Sequence, residues 1–203
     1  MNRPYRAAAA FAGAAALTAA GLAPATAADW VRTDPVGDVQ SLTFDENTVE
    51  EPELLPAPGN RNTDITEVVV RHRVNRVAVR LTLRNITGRS GLAVYDIRTD
   101  DRNYMAIKML GKREGSMPGW LLMRANGRFV RCSDVRRHVD RPADEAVVRI
   151  PRRCLGFPQW VRVGVGVQSV GGDFDSFEVW LDDGLRDGDV QDVLTLSPRI
   201  QRG

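Results

Sequence analysis

Hydrophobic residues recur at every second position over much of this chain, and this period of two constrains the fold more than any other feature. Val77, Val79, Leu81 and Leu83 alternate with polar or small residues, which is the pattern of a half-buried β-strand. No segment of useful length shows the 3.6-residue period of an amphipathic helix. The pattern therefore predicts an all-β protein.

The same alternation on either side of a turn predicts a β-hairpin over about 65–84. Val74-Asn75 supplies the turn, because Asn accepts the positive φ that tight hairpins require. If the loop has two residues, Val70 lies opposite Val79, and the apolar faces of the two strands coincide. A loop one pair shorter or longer keeps the same faces, so the pattern leaves its length open.

Further short strands follow at regular spacing, with Asn126-Gly127 as the strongest turn signal. They are expected at 91–98, 103–110, 119–124, 128–132, 145–150, 160–168, 176–182 and 193–196. We therefore predict an antiparallel β-sandwich, of jelly-roll or immunoglobulin-like type, as one domain over 29–203. Pro and Glu residues within 45–63 predict an exposed acidic loop.

Residues 1–28 have the features of a secretory signal peptide. Arg3 and Arg6 precede an Ala-rich apolar stretch, and Ala25-Thr26-Ala27 offers a cleavage site near Ala27 or Ala28. The whole chain carries 28 basic and 26 acidic residues, and two of those arginines lie in 1–28. The remaining 175 residues thus have no net charge, which argues against nucleic acid as a partner. Beyond the N-terminus no apolar run reaches the length of a membrane span.

Cys132 and Cys154 are the two cysteines of the chain. In an exported protein such a pair predicts a disulfide. Two free thiols or a metal pair are the alternatives, but the ligands of a zinc site are missing around them. The bond would close a loop of 22 residues, which stabilises a fold by about 3 kcal/mol in the chain-entropy model.

Several motifs resemble a group of exported actinobacterial proteins and, more distantly, the DOMON-like sandwiches and family-nine carbohydrate-binding modules. They are Asp34-x-x-Gly37-Asp38, Asp64-Ile65-Thr66, Val148-x-Ile150-Pro151, Cys154-Leu155-Gly156 and the run from Trp160 to Gly166. The resemblance implies a β-sandwich that binds a saccharide or a haem. For haem it implies a His and a Met as axial ligands, and His72 with Met105, Met109 or Met123 are the residues present.

Two strands present residues suited to sugar binding. Glu178, Trp180 and Asp182 alternate with Phe177, Val179 and Leu181, so a Trp between two carboxylates is predicted on the polar face. Trp160 and Arg162 share the corresponding face of the preceding strand with Gly164 and Gly166, which would leave it flat or grooved. The alternative is that both Trp side chains cover the edge of the sandwich or pack under the 45–63 loop.

Two acidic segments are candidates for structural calcium, which binds hard oxygen ligands on a bent backbone. Asp34 and Asp38 flank Gly37, and Asp183, Asp187 and Asp189 lie in a Gly-containing segment. The resemblance to family-nine modules supports calcium. A solvated turn is the alternative for each segment.

No catalytic residue stands out. The nucleophile motif G-x-S-x-G is missing, and nothing selects one carboxylate pair for glycoside hydrolysis. We therefore predict a secreted, non-catalytic domain that binds carbohydrate or a cell-surface polymer. A glycan-active enzyme and a structural or protein-interaction domain are the alternatives. Charge is unevenly spread, since 124–153 is rich in Arg and 173–192 in acids.

Overall fold

The computed structural model describes residues 29–45, 52–89, 91–111, 119–172 and 176–203. The predicted signal peptide and part of the acidic loop lie outside them. The strands run, in chain order, as β1 (Asp29–Thr33), β2 (Gln40–Asp45), β3 (Leu55–Pro56), β4 (Ile65–His72), β5 (Arg76–Leu83), β6 (Leu92–Thr99), β7 (Asn103–Met109), β8 (Trp120–Arg124), β9 (Arg136–Asp140), β10 (Glu145–Pro151), β11 (Trp160–Gly172), β12 (Ser176–Asp183) and β13 (Ile200–Gln201).

These strands form two antiparallel sheets, as the sequence predicts. The smaller sheet has the order β1-β4-β5-β10-β9, and the larger has the order β3-β2-β12-β11-β6-β7-β8, with β13 paired to β11. The predicted hairpin is confirmed to its register, because Val70 lies opposite Val79 and Val68 opposite Leu81. No helix in the described part of the chain is long and apolar enough to cross a membrane.

The core fills the space between the two sheets. Alternate residues of β4, β5 and β10 meet the buried valines of β11, from Val161 to Val167, and Tyr95 and Ile97 of β6. These side chains are almost fully buried. Burial of each one contributes about 1.5–3 kcal/mol, so this shared apolar face is what holds the sheets together.

A disulfide joins Cys132 to Cys154, which confirms the predicted pairing. It lies where the chain passes from β8 of the larger sheet to β9 of the smaller one. The predicted strand over 128–132 is wrong, apart from a single bridge between Met123 and Phe129. A strand that has to cross between sheets leaves its ladder, and pairing resumes at β9, a strand that the sequence did not indicate.

The predicted strand at 193–196 is also wrong, because this segment crosses the outer face of β11 without joining a sheet. Its leucines pack on glycines instead. A Cβ at Gly166 would lie 2.7 Å from Leu194, and one at Gly164 would lie 2.7 Å from the carbonyl oxygen of Thr195. The described part of the acidic loop, 52–63, is largely exposed and contains the short strand β3.

Candidate metal centre

Three carboxylates from two distant parts of the chain meet at one end of the sandwich. Asp34 and Asp38 lie in the connection between β1 and β2, and Asp182 lies near the end of β12. One oxygen from each residue lies within 4.8 Å of the other two. Because β1 and β2 belong to different sheets, these carboxylates gather where the chain crosses from one sheet to the other.

Backbone hydrogen bonds fix the connection that carries Asp34 and Asp38. The amide of Asp34 donates to the carbonyl oxygen of Thr66, at 3.0 Å. Gly37 has φ +86°, in the left-handed region that favours glycine, and its amide donates to Asp64 Oδ2 at 2.9 Å. This turn brings Asp38 back toward Asp34.

The third carboxylate is held from the opposite sheet. Asp182 Oδ2 accepts a hydrogen bond from the amide of Ile65, at 2.6 Å. Asp182 lies opposite Val167 of β11, so its side chain enters the space between the sheets. The site thus has a rigid frame built from the starts of β2 and β4 and the end of β12.

The three carboxylates are buried and short of partners. Only 3% of Asp34 and 4% of Asp182 is exposed, and Asp38 is partly buried. Within the described residues, neither side-chain oxygen of Asp34 or of Asp38 has a hydrogen-bond partner. A buried carboxylate without a donor is costly, and proteins compensate it with a cation or by retaining the proton.

Burial, together with the charges of nearby acidic residues, raises the pKa of each carboxyl group. Burial raises the pKa of Asp34 to about 9, and the nearby charges of Asp182 and Asp38 add to this. Burial also raises the pKa of Asp182 to about 8, despite its bond from Ile65, and raises the pKa of Asp38. Without a cation, the folded protein therefore holds protons here at neutral pH.

The neighbouring basic residues are engaged with other acids. Arg84 pairs with Asp64 at 2.7 Å, and Arg32 pairs with Asp187 at 2.6 Å. The charge of Arg32 lowers the pKa of Asp34 and Asp38 in part, but their pKa values stay raised, and no basic side chain of the described residues forms an ion pair with the three central carboxylates. The charge is one that a small divalent cation would balance.

The second predicted calcium segment makes contacts of its own. Asp183 Oδ1 accepts a hydrogen bond from the amide of Leu185 at 3.2 Å, and Asp183 Oδ2 accepts one from the amide of Thr195 at 2.8 Å. Asp187 is exposed on its pair with Arg32. Asp189 Oδ1 accepts a bond from the Gln40 side chain at 2.7 Å. These carboxylates fasten the C-terminal segment to β1, β2 and β12.

The side chains of β12 point to the opposite faces of the sheet from those predicted. Trp180 lies opposite Ser169 and Glu178 opposite Gly171, so both share the face of the buried β11 valines, and Phe177 points outward onto Phe44. The Trp180 ring is half-buried over Gly171, where a Cβ would lie 2.7 Å from it. On the outer face of β12, Leu181 lies beside Val190 and Leu194 of the C-terminal segment. Both faces of the strand therefore carry apolar residues, and alternation alone does not show which face is the inner one.

The other predicted sugar-binding residues also contact the chain itself. The guanidinium of Arg199 lies 4.6 Å from the centre of the Trp160 ring. Arg162 Nε donates to the carbonyl oxygen of Ser197 at 2.8 Å. The glycine face between them is covered by Leu194 and its neighbours, so the flat or grooved surface expected there is filled.

The structure keeps the candidate haem ligands apart. His72 is fully buried at the end of β4, and its Nδ1 contacts the carbonyl oxygen of Ile200 at 3.0 Å. Met105 and Met123 are neighbours on β7 and β8, where Met105 alternates with the inward residues Tyr104 and Ala106 and so faces outward. Met109 lies on that same outward face.

The sequence predicts only part of this site. The spacing of Asp34 and Asp38 around Gly37 predicts their pairing, whereas the alternation in β12 assigns Asp182 to the sugar-binding residues. Asp64, which holds the Gly37 turn, appears in the sequence only as part of the motif Asp64-Ile65-Thr66. Comparisons of this chain with protein-family models, with curated proteins and with solved structures found no match.

Proposed function

We propose that this protein is an exported, non-catalytic binding domain whose two sheets are fastened by a calcium ion held by Asp34, Asp38 and Asp182. The observation that carries the metal part is the burial of three carboxylates that converge without a basic partner. The disulfide supports export, because such bonds persist in oxidising compartments. The signal-like sequence of 1–28 supports it as well.

The ligand atoms favour calcium over softer metals. All three donors are carboxylate oxygens, which suit hard cations. Calcium–oxygen bonds are about 2.3–2.6 Å long, so two oxygens bound to the same ion lie up to about 5 Å apart. The three oxygens lie within 4.8 Å of one another, close enough to bind one such ion.

The position of the centre supports a structural role for the ion. The ion would join the crossing between β1 and β2 to β12, and so tie the smaller sheet to the larger one. Its ligands Asp34 and Asp182 are almost fully buried, which leaves little access for a substrate. We therefore propose that the ion stabilises the fold, as metals do when they bind only the native state.

Thermal unfolding with and without calcium tests this proposal. The purified protein is stripped with EDTA, and its melting temperature is measured with EDTA, with calcium and with magnesium. Calcium at about 100 times its Kd should add about 2.7 kcal/mol to the free energy of unfolding. An identical melting temperature in EDTA and in calcium would contradict the proposal.

A further inference from the structure

A pocket of about 350 Å³ opens on the outer face of the smaller sheet, away from the metal centre. Four arginines contribute to its lining: Arg76, Arg136, Arg149 and Arg153. The single acidic lining residue is Asp134, which pairs with Arg153. The lining thus carries a clear excess of positive charge.

The strand register forces two of these arginines together. Arg136 of β9 and Arg149 of β10 are direct cross-strand neighbours, so their side chains leave the same face of the sheet about 5 Å apart at Cβ. Arg76 enters from β5, where it lies opposite Pro151. Like charges placed directly opposite each other destabilise a sheet unless something neutralises them.

Nothing in the described part of the chain neutralises Arg76, Arg136 or Arg149. None of them forms an ion pair there, whereas other arginines of the same sheet do. Arg80, on the same outer face, bonds Glu67 at 2.6 Å and Glu145 at 2.9 Å. Arg71 and Arg73 share Asp29. The ion pairs that neutralise arginines elsewhere on this sheet are therefore missing at these three arginines of the pocket.

The walls of the pocket are rigid. The buried Arg152 donates to the carbonyl oxygens of Val74 at 2.7 Å and Pro158 at 2.6 Å, which locks the β4–β5 turn to the short 3₁₀ helix Arg152–Leu155. The Cys132–Cys154 disulfide ties the segment that leads to Asp134 and Arg136 to the same helix. The arginines therefore project from a braced frame, which lowers the cost of ordering them around a ligand.

We infer that this pocket binds a phosphate group, either as a free ion or as a monoester on a sugar. Guanidinium groups bind phosphate oxygens through paired, charge-assisted hydrogen bonds. A phosphate monoester carries nearly two negative charges at neutral pH, which suits a lining of four arginines and one aspartate. The pocket volume lies at the lower end of small-molecule sites, roughly 300–1,000 Å³, and has room for an attached sugar.

This inference rests on the proposed binding role but not on the metal centre. It places the ligand on the smaller sheet, whereas the sequence directed attention to Trp180 and Trp160 in the larger one. The two sites use different residues and different sheets, so the failure of one leaves the other standing.

Isothermal titration at low salt tests the pocket with inorganic phosphate, glucose 1-phosphate and unphosphorylated glucose. We expect both phosphates to bind and glucose not to bind. Tighter binding of glucose 1-phosphate identifies the sugar ester as the better ligand, and tighter binding of inorganic phosphate identifies the free ion. No binding of either phosphate would overturn the inference.

Matched variants separate a built site from general attraction. Arg149→Gln and Arg136→Gln should each weaken phosphate binding about tenfold or more, because each removes charge-assisted hydrogen bonds. Arg128→Gln removes the same charge from an exposed turn and should change affinity less than twofold. Equal losses in all three variants would show nonspecific attraction and overturn the inference.

Stability measurements on the same variants control for folding. Arg149→Gln should not lower the melting temperature, because it removes a repulsion between cross-strand neighbours. Its response to calcium, measured without phosphate, should match that of the unmodified protein. A variant that keeps the calcium response but loses phosphate binding supports the pocket, and one that keeps both contradicts it.

Discussion

Replacing Asp34 by Asn should change stability in opposite directions with and without calcium. Asn has nearly the same shape as Asp but no charge, so the variant tests charge rather than packing. In EDTA it removes a buried carboxylate that lacks a partner. In calcium it removes one of the three proposed ligands. A side chain that only fills space gives no such reversal.

The size of the effect in EDTA follows from the raised pKa of Asp34, about 9 in the folded protein against the ordinary 3.8. Between these values the folded state binds more protons than the unfolded state, so the free energy of unfolding falls as pH rises. Each such group contributes about 1.4 kcal/mol per pH unit. From pH 5 to pH 8, the free energy of unfolding of Asp34→Asn should thus rise by up to about 4 kcal/mol relative to that of the unmodified protein.

Chemical denaturation in EDTA at pH 5 and pH 8, and in calcium at pH 8, measures these differences. In calcium at about 10,000 times its Kd the order should reverse, because the ion then adds about 5 kcal/mol to the free energy of unfolding of the unmodified protein. The variant lacks one ligand and does not gain this stabilisation, which exceeds its advantage of about 4 kcal/mol in EDTA. Asp101→Asn is the control, since Asp101 is exposed on a turn. If Asp34→Asn follows the unmodified protein at both pH values and in calcium, the reasoning about this centre is wrong.

Three further outcomes follow from the structure. Calcium binding at pH 7 should release about two protons, because Asp34 and Asp182 have raised pKa values. Calorimetric titrations in buffers of different ionisation enthalpy measure the number of protons released. Binding without proton release would contradict the raised pKa values. Gly164→Ala should lower the free energy of unfolding by about 1–3 kcal/mol, because its Cβ would lie 2.7 Å from the backbone carbonyl oxygen of Thr195, whereas Gly59→Ala, in open space, should change it little. Reducing the disulfide should cost about 3 kcal/mol for its loop of 22 residues, and an unchanged denaturation midpoint would refute this.

Local patterns were enough to predict the β4–β5 and β6–β7 hairpins of this fold. The alternation in β4 and β5 gave the strands, the turn and the register, because one face of this hairpin is buried in the core and the other is polar. The same logic located β6, β7, β10 and β11. The predicted sandwich follows from these strands alone, since sheets with one apolar face have to pack against each other.

Two features depend on long-range packing: which face of β12 points into the core, and the packing of the 193–196 segment on the outer face of β11. Both alternating sets of β12 are partly apolar, because Leu181 on the outer face lies beside Val190 and Leu194 of the C-terminal segment. Sequence alternation therefore could not show which set faces the core. Leu194 and Leu196 alternate like strand residues, but they pack in an extended segment over glycines. Such a segment is stabilised by its tertiary contacts rather than by a ladder of hydrogen bonds.

The two candidate sites could be predicted only in part for the same reason. The spacing of Asp34 and Asp38 is local and was visible, but Asp182 joins them through sheet topology. Arg136 and Arg149 are separated along the chain and become neighbours only through the pairing of β9 with β10. The sequence showed an Arg-rich segment, and the fold concentrates part of it around one pocket.

Calcium titration of the metal-free protein, followed by calorimetry, tests the central claim most directly. The account predicts one calcium ion bound per chain, with binding lost in Asp34→Asn and in Asp182→Asn and retained in Asp101→Asn. Absence of calcium binding to the unmodified protein, or binding that survives both ligand substitutions, would contradict it.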